Sequence, residues 1–210
     1  MHTTIKNLLD IESKINNGAK IIAVSKTFPI DKILPLIEHG HTDFGENKVQ
    51  EATEKWKEIK KINSQIKLHM IGKLQTNKVK FAVQIFDYIH SVDSEKLAKK
   101  IADEQNKINK KIKIFLQVNI GDENQKSGIN KSDVNKLVSY CKEIDLDLIG
   151  LMCIPPANID PEVYFEEMNK LNKTLDLSEL SMGMSSDFLI AAKHYSTFVR
   201  VGSGIFGQRS

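Results

Sequence analysis

Short β-rich runs alternate with longer helical patterns along almost the whole of this sequence, and that alternation limits the fold more than any other feature. The runs predicted as strands are "KIIAVSK" (20–26), "TDFGEN" (42–47), "KLHMIG" (67–72), "YIHSVD" (88–93), "KIFLQVNI" (113–120), "LIGLMCI" (148–154), "ELSMGM" (179–184) and "TFVRVGSGIFG" (197–207). Between them lie stretches with helical spacing, such as "VQEATEKWKEIKK", "SEKLAKKIADEQNKI" and "PEVYFEEMNKLNKTL", and a leading helix is predicted over 3–16. Ser94 precedes one helix, Gly40 follows another, and Pro161 stands where a first-turn proline belongs, whereas Pro35 implies a kink or a later helix start. Strict strand–helix alternation gives parallel strands joined by right-handed crossovers. Eight such units in a chain of 210 residues fit a small (β/α)8 barrel forming a single domain over 1–210. A doubly wound open sheet would need a glycine-rich phosphate turn after the first strand, and "VSKTFP" has no glycine.

Charge and cysteine content narrow the function class. The 30 basic and 27 acidic residues are close to balance and mix in helical spacing, which argues against a nucleic-acid binder. Cys141 and Cys153 form no CxxC and read as reduced thiols. No apolar run approaches a membrane span, and the N-terminus lacks the apolar stretch of a signal peptide, so a cytoplasmic protein without membrane contact is expected. The polar outer faces of the helices suggest a monomer or a weak dimer.

A barrel places its chemistry at the C-terminal ends of its strands. There the sequence sets Lys26, Glu46, Asn47, Gly72, Ser91, Asp93, Asn119, Ser185 and the turn from Gly202 to Gly204. Asp93 and Ser94 are explained by helix capping alone. Arg200 lies within an apolar strand, where an unpaired guanidinium is costly, so it needs a carboxylate or a ligand. Gly202, Ser203 and Gly204 let the backbone approach a ligand closely, and "SMGMSSDF" leads from a strand into a hydroxyl-rich helix start that favours anions. Two neighbouring anion-friendly turns after strands seven and eight indicate a phosphate over the barrel mouth. Lys26, at the end of strand one, can reach across that mouth with an amine whose charged form burial disfavours. Amine plus phosphate clamp suggests a Schiff base with a phosphorylated carbonyl compound, a sugar phosphate or pyridoxal 5'-phosphate (PLP). Arg200 favours PLP, as a partner for the pyridine nitrogen.

With these motifs in order, "AVSKTFP", "DFGENKVQE", "LHMIGKLQTNK", "IHSVD", "VNIGDENQKSG", "GLMCIPP", "LSMGMSSDF" and "STFVRVGSGIFGQR", the chain resembles the pyridoxal phosphate homeostasis proteins over nearly its whole length. That family looks like the barrel domain of alanine racemase without its second domain. The resemblance implies that Lys26 forms the Schiff base and that Ser185, Gly202 and Ser203 surround the phosphate. It also implies that Arg200 faces the pyridine nitrogen and that Asn47 and Ser181 lie near the cofactor. Relatives often have threonine where this chain has serine in "VGSGIFG", which keeps the hydroxyl. His194 and Tyr195 stand where relatives often have small residues.

An arginine beside the pyridine nitrogen keeps it unprotonated and weakens the ring as an electron sink. The chain ends shortly after the last strand, which leaves no room for the domain that gives alanine racemases a second base. The resemblance therefore implies a role in vitamin B6 homeostasis, with PLP held on Lys26 and passed to free amines or to apo forms of PLP-dependent enzymes, without dedicated catalysis. One alternative is a small PLP-dependent amino-acid racemase with His90 or His69 as its second base, although a strand histidine is more often a core residue. Another is a Schiff-base aldolase acting on a sugar phosphate.

Overall fold

The computed structural model describes residues 1–123, 127–157 and 159–208. Positions 124–126 of the "VNIGDENQKSG" motif and the last two residues of the predicted domain lie outside the described residues. Eight parallel strands pair in sequence order: β1 (Lys20–Val24), β2 (Asp43–Glu46), β3 (Lys67–Met70), β4 (Tyr88–Val92), β5 (Lys113–Val118), β6 (Asp147–Cys153), β7 (Glu179–Met184) and β8 (Phe198–Val201). β8 pairs back onto β1, with Ile22 opposite Arg200, so the sheet closes and the open-sheet alternative is excluded. The outer layer consists of α2 (Ile30–Glu38), α3 (Val49–Ile62), α4 (Val79–Ile85), α5 (Glu95–Lys107), α6 (Val134–Glu143), α7 (Glu162–Thr174) and α8 (Phe188–Lys193). The leading helix α1 (Thr3–Lys14) packs against a short closing turn of helix, α9 (Ser203–Phe206).

The boundaries follow local chemistry. Ser94 caps α5 by accepting the Leu97 N–H, and Gly40, at φ +97°, follows α2 in a conformation that favours glycine. Pro161 occupies the N-cap of α7, and Pro35 lies inside α2, which begins at Ile30. The predicted last strand is cut short at Val201, because Gly202 leaves the extended region (φ −109°, ψ −80°) and starts α9.

Two apolar shells result. The outer shell joins the outward face of the sheet to the helices and contains Phe44, Trp56, Phe86 and Phe165, all fully buried. Complete burial of each such aromatic contributes about 2–3 kcal/mol. The inner shell fills the barrel with Ile22, Tyr88, Phe115, Met152 and Phe198. Gly45 belongs to that interior, because a Cβ there would lie 2.9 Å from both Ile22 and Ile71. His69, His90, Ser181 and Arg200 are also buried there, each at most 4 % exposed.

The buried histidines make stability depend on pH. Burial lowers the pKa of His69, against the pull of Asp43, and lowers that of His90 well below the ordinary histidine value, with His69 and Arg200 adding to the effect. A base whose pKa falls on folding binds fewer protons folded than unfolded, so stability is full above the unfolded value of about 6.5 and is lost as pH falls below it. Each ring that stays neutral costs about 1.4 kcal/mol per pH unit below that point. Urea unfolding at pH 5.5 is therefore expected to give a stability lower than at pH 7.5 by about 1–3 kcal/mol.

Candidate functional site

At the C-terminal ends of the strands a cavity of about 590 Å³ opens, lined on its polar side by Lys26, Asn47, Ser185, Ser186, Arg200 and Ser203. Ile71, Ile154, Val24 and Met184 form apolar walls, and Phe28 at the rim stacks on Phe206 at 4.9 Å between ring centroids. None of the described lining residues is acidic, and two of them, Lys26 and Arg200, carry cationic side chains.

Lys26 sits in the turn just after β1, half-buried. Both sides of that turn are fastened. Ser25 Oγ donates to Glu46 Oε1 (2.7 Å), and the same oxygen accepts from Trp56 Nε1 (2.9 Å) and Lys55 Nζ (2.9 Å). Lys55 Nζ also donates to the Ser25 carbonyl (2.9 Å), and Glu51 accepts the Thr27 N–H. Thr27 adopts φ +66°, a strained value for a β-branched residue, which the Glu51 bond holds in place. Glu46 has no exposed surface. It is thus a buried carboxylate that organises the lysine turn from below.

The opposite wall is built for an anion. Ser185 Oγ accepts the N–H groups of Gly202 and Gly204 (3.3 Å each), so these converging donors fix the Ser185 hydroxyl beside those of Ser186 and Ser203. The sequence argument invoked a helix start here, yet α8 spans six residues and α9 four. Helices that short supply little dipole, and the clustered hydroxyls carry the anion preference instead. α1 supports the cradle, since Asn7 Nδ2 donates to the Ile205 carbonyl (2.9 Å). That role for the leading helix left no signal in the sequence.

Arg200 is 4 % exposed and reaches the cavity from β8. Its partners are neutral: Nη1 donates to Ser181 Oγ (2.7 Å) and Nη2 to the Cys153 carbonyl (2.9 Å). No carboxylate of the described residues pairs with it, and burial lowers its pKa from the ordinary value. The expected carboxylate is not among the described residues; a hydroxyl and a backbone carbonyl hold the guanidinium instead, and Arg200 also lines the cavity.

Six of the predicted site residues, Lys26, Asn47, Ser185, Arg200, Gly202 and Ser203, therefore line one cavity. Ser181 lies lower in the barrel, fully buried beneath Arg200. Gly72 packs directly on Asn47, since a Cβ there would come within 2.4 Å of the Asn47 carbonyl oxygen. Asn119 lies outside the cavity lining and bonds the backbone of Glu123 through both ends of its amide. Ile71, Ile154 and Ser186, and Lys55 as the partner of Glu46, are site components that sequence reasoning did not identify. His69 and His90 are fully buried in the barrel interior and do not line the cavity.

Cationic end groups, a hydroxyl-and-amide cradle and flat apolar walls suit a planar phosphorylated ligand with a group that reacts with amines. Comparison with known proteins agrees. The alanine racemase N-terminal domain family matches residues 3–210. The pyridoxal phosphate homeostasis protein of Pasteurella multocida is 34 % identical over 216 residues, covering 98 % of this chain and 93 % of that protein. PipY of Synechococcus elongatus PCC7942, solved without PLP, superposes with a TM-score of 0.92 at 32 % identity, covering 98 % of this chain and all of that one. The same protein with PLP bound gives 0.91 at 32 % identity, with 97 % and 100 % coverage. This chain belongs to the alanine racemase N-terminal domain family, among the pyridoxal phosphate homeostasis proteins.

Proposed function

We propose that this chain binds pyridoxal 5'-phosphate as a Schiff base on Lys26 and serves intracellular vitamin B6 homeostasis as a single-domain cytoplasmic carrier without dedicated catalysis. The observation that carries this reading is the convergence of Lys26, Arg200, Ser185, Gly202 and Ser203 on one cavity. The PLP-bound relative adds independent support.

When bound, PLP supplies an aldehyde that condenses reversibly with amines. Lys26 would hold the group through its amine, Nζ. The hydroxyls of Ser185 and Ser203 would hold the phosphate, where hydrogen bonds to a charged acceptor are each worth about 1.5–3 kcal/mol. Ile71 and Ile154 cover the ring and exclude water. Arg200 would donate to the ring nitrogen and, being cationic, would oppose its protonation. Neither candidate second base for a racemase lines the cavity, because His69 and His90 are enclosed within the barrel. Apo forms of PLP-dependent enzymes would receive the group on their own lysines, from a monomer or weak dimer.

The test is an absorption spectrum of the purified protein with added PLP, then borohydride reduction and peptide mapping. A visible band that reduction fixes onto Lys26 is expected, with no racemisation of free amino acids. Absence of any band with PLP present overturns the reading, and racemisation that is lost with Lys26 favours the enzyme. Ser185→Ala is expected to weaken PLP binding about tenfold while leaving the band position unchanged, since one hydrogen bond to a charged group is lost. Titration of the band against PLP concentration checks this.

A further inference from the structure

Arg200 is the top of a hydrogen-bond chain that runs down the inside of the barrel. Arg200 Nη1 donates to Ser181 Oγ (2.7 Å), which lies 2.8 Å from His90 Nδ1. His90 Nε2 lies 3.0 Å from His69 Nδ1, and His69 Nε2 lies 3.0 Å from Asp43 Oδ1, at the opposite end of the barrel. Both rings are clamped flat, His90 against Phe115 (4.3 Å) and His69 against Tyr88 (4.2 Å), so only their edges are available for bonding.

The donor inventory allows one direction. A guanidinium only donates and an ionised carboxylate only accepts. Asp43 is held ionised, with its pKa lowered by His69 and by Thr42, whose hydroxyl donates to Oδ2 (2.6 Å), despite the opposing effect of burial. His69 must then carry its proton on Nε2, which makes Nδ1 an acceptor for His90 Nε2–H. His90 Nδ1 is left to accept the Ser181 O–H, and Ser181 turns its lone pairs toward Arg200. In the reverse direction the Ser181 hydrogen has no acceptor among the described residues, and His69 needs a second proton in a site with no exposed surface.

We propose that Ser181, His90, His69 and Asp43 are positioning residues for Arg200: a one-way hydrogen-bond chain that locks the guanidinium plane at the cavity floor. Among the described residues Arg200 has no carboxylate partner; the Cys153 carbonyl holds Nη2, and this chain fixes Nη1 from Asp43 at the far end. The use of that fixed plane against a ring nitrogen rests on the PLP reading above, whereas the chain itself does not.

Both parts are measurable in PLP-free protein by nitrogen-15 NMR. The expected result is neutral His69 and His90, each protonated on Nε2, with separately resolved, slowly rotating Nη–H signals for Arg200. A His90→Asn side chain can place its carbonyl oxygen where Nδ1 was, and should keep the slow rotation. His90→Phe fills the space without an acceptor and should raise the rotation rate roughly tenfold, the worth of one net hydrogen bond. Asp43→Asn, at the half-buried end, is the milder variant, with a rise of about threefold expected. A proton on His90 Nδ1, fast rotation in the wild type, or a Phe variant that matches wild type while Asn does not, each overturns the proposal. Failure of the wild type to bind PLP overturns the cofactor reading instead, and the NMR result still decides the chain.

Discussion

Lys26→Ala is expected to abolish the visible band and the borohydride-fixed adduct, and to weaken PLP binding by at least about a hundredfold, or ~2.7 kcal/mol. The size of the loss follows from what remains. The phosphate cradle and Arg200 are built from β7, β8 and α9, and none of their hydrogen bonds passes through the β1 turn. The variant should therefore retain a weak, phosphate-competed affinity. Lys26→Arg separates the two roles of the lysine. It keeps a positive charge near the cavity but provides no amine to condense with an aldehyde. It should recover part of the affinity and none of the band. Fluorescence titration and reduction of the two variants side by side would decide the matter. An adduct in Lys26→Arg would place the reactive amine elsewhere.

The second large effect is expected away from the cavity. Lys55→Met removes the only described cation bonded to Glu46, a carboxylate with no exposed surface, and leaves that charge buried. Breaking one side of a buried pair costs about 3–5 kcal/mol. Glu46 keeps Ser25 and Trp56 as donors, which places the expected loss near the lower figure. Against a total stability of about 5–15 kcal/mol, that is a large fraction. Because Lys55 also holds the Ser25 carbonyl, PLP affinity should fall with stability, even though Lys55 does not line the cavity. Adding Glu46→Gln to Lys55→Met removes the stranded charge and should restore at least half of the loss in urea unfolding. If the double variant is less stable than the single one, the buried charge is not the cause.

The barrel was legible because its signals are local: period-two runs, caps at Ser94 and Gly40, and turns at strand ends. The cavity was legible because a barrel assigns function to those ends, which points to Lys26, Asn47, Ser185 and Gly202 but also to Asn119 outside the lining, whereas Arg200 stood out as a guanidinium within an apolar strand. Depth was not legible. Ser181 lies in the same β7 motif as Ser185, yet sits beneath Arg200, because alternation specifies the face of a residue and not its height in the barrel. The histidine pair was hidden for a related reason. His69 and His90 lie on adjacent strands, and their contact depends on a register fixed by long-range pairing, with His69 opposite Tyr88. The Glu46–Lys55–Trp56 cluster likewise depends on how α3 docks on β2. The short α8 and α9 show a further limit, since hydroxyl-rich composition predicts a helix start but not how far the helix continues.

Closure of the sheet also bears on how another macromolecule can meet this one. With β8 bonded to β1, every strand has a neighbour on both sides, and the ring of strands has no unpaired edge on which another chain could add a strand. Any recipient enzyme would therefore have to recognise turns and helix surfaces. Those that matter for a handover surround the mouth: the Lys26 turn, the Ile154 segment and the Ser185 turn. Recognition and release would then share one rim, so that a partner seated there disturbs the residues that hold the cargo.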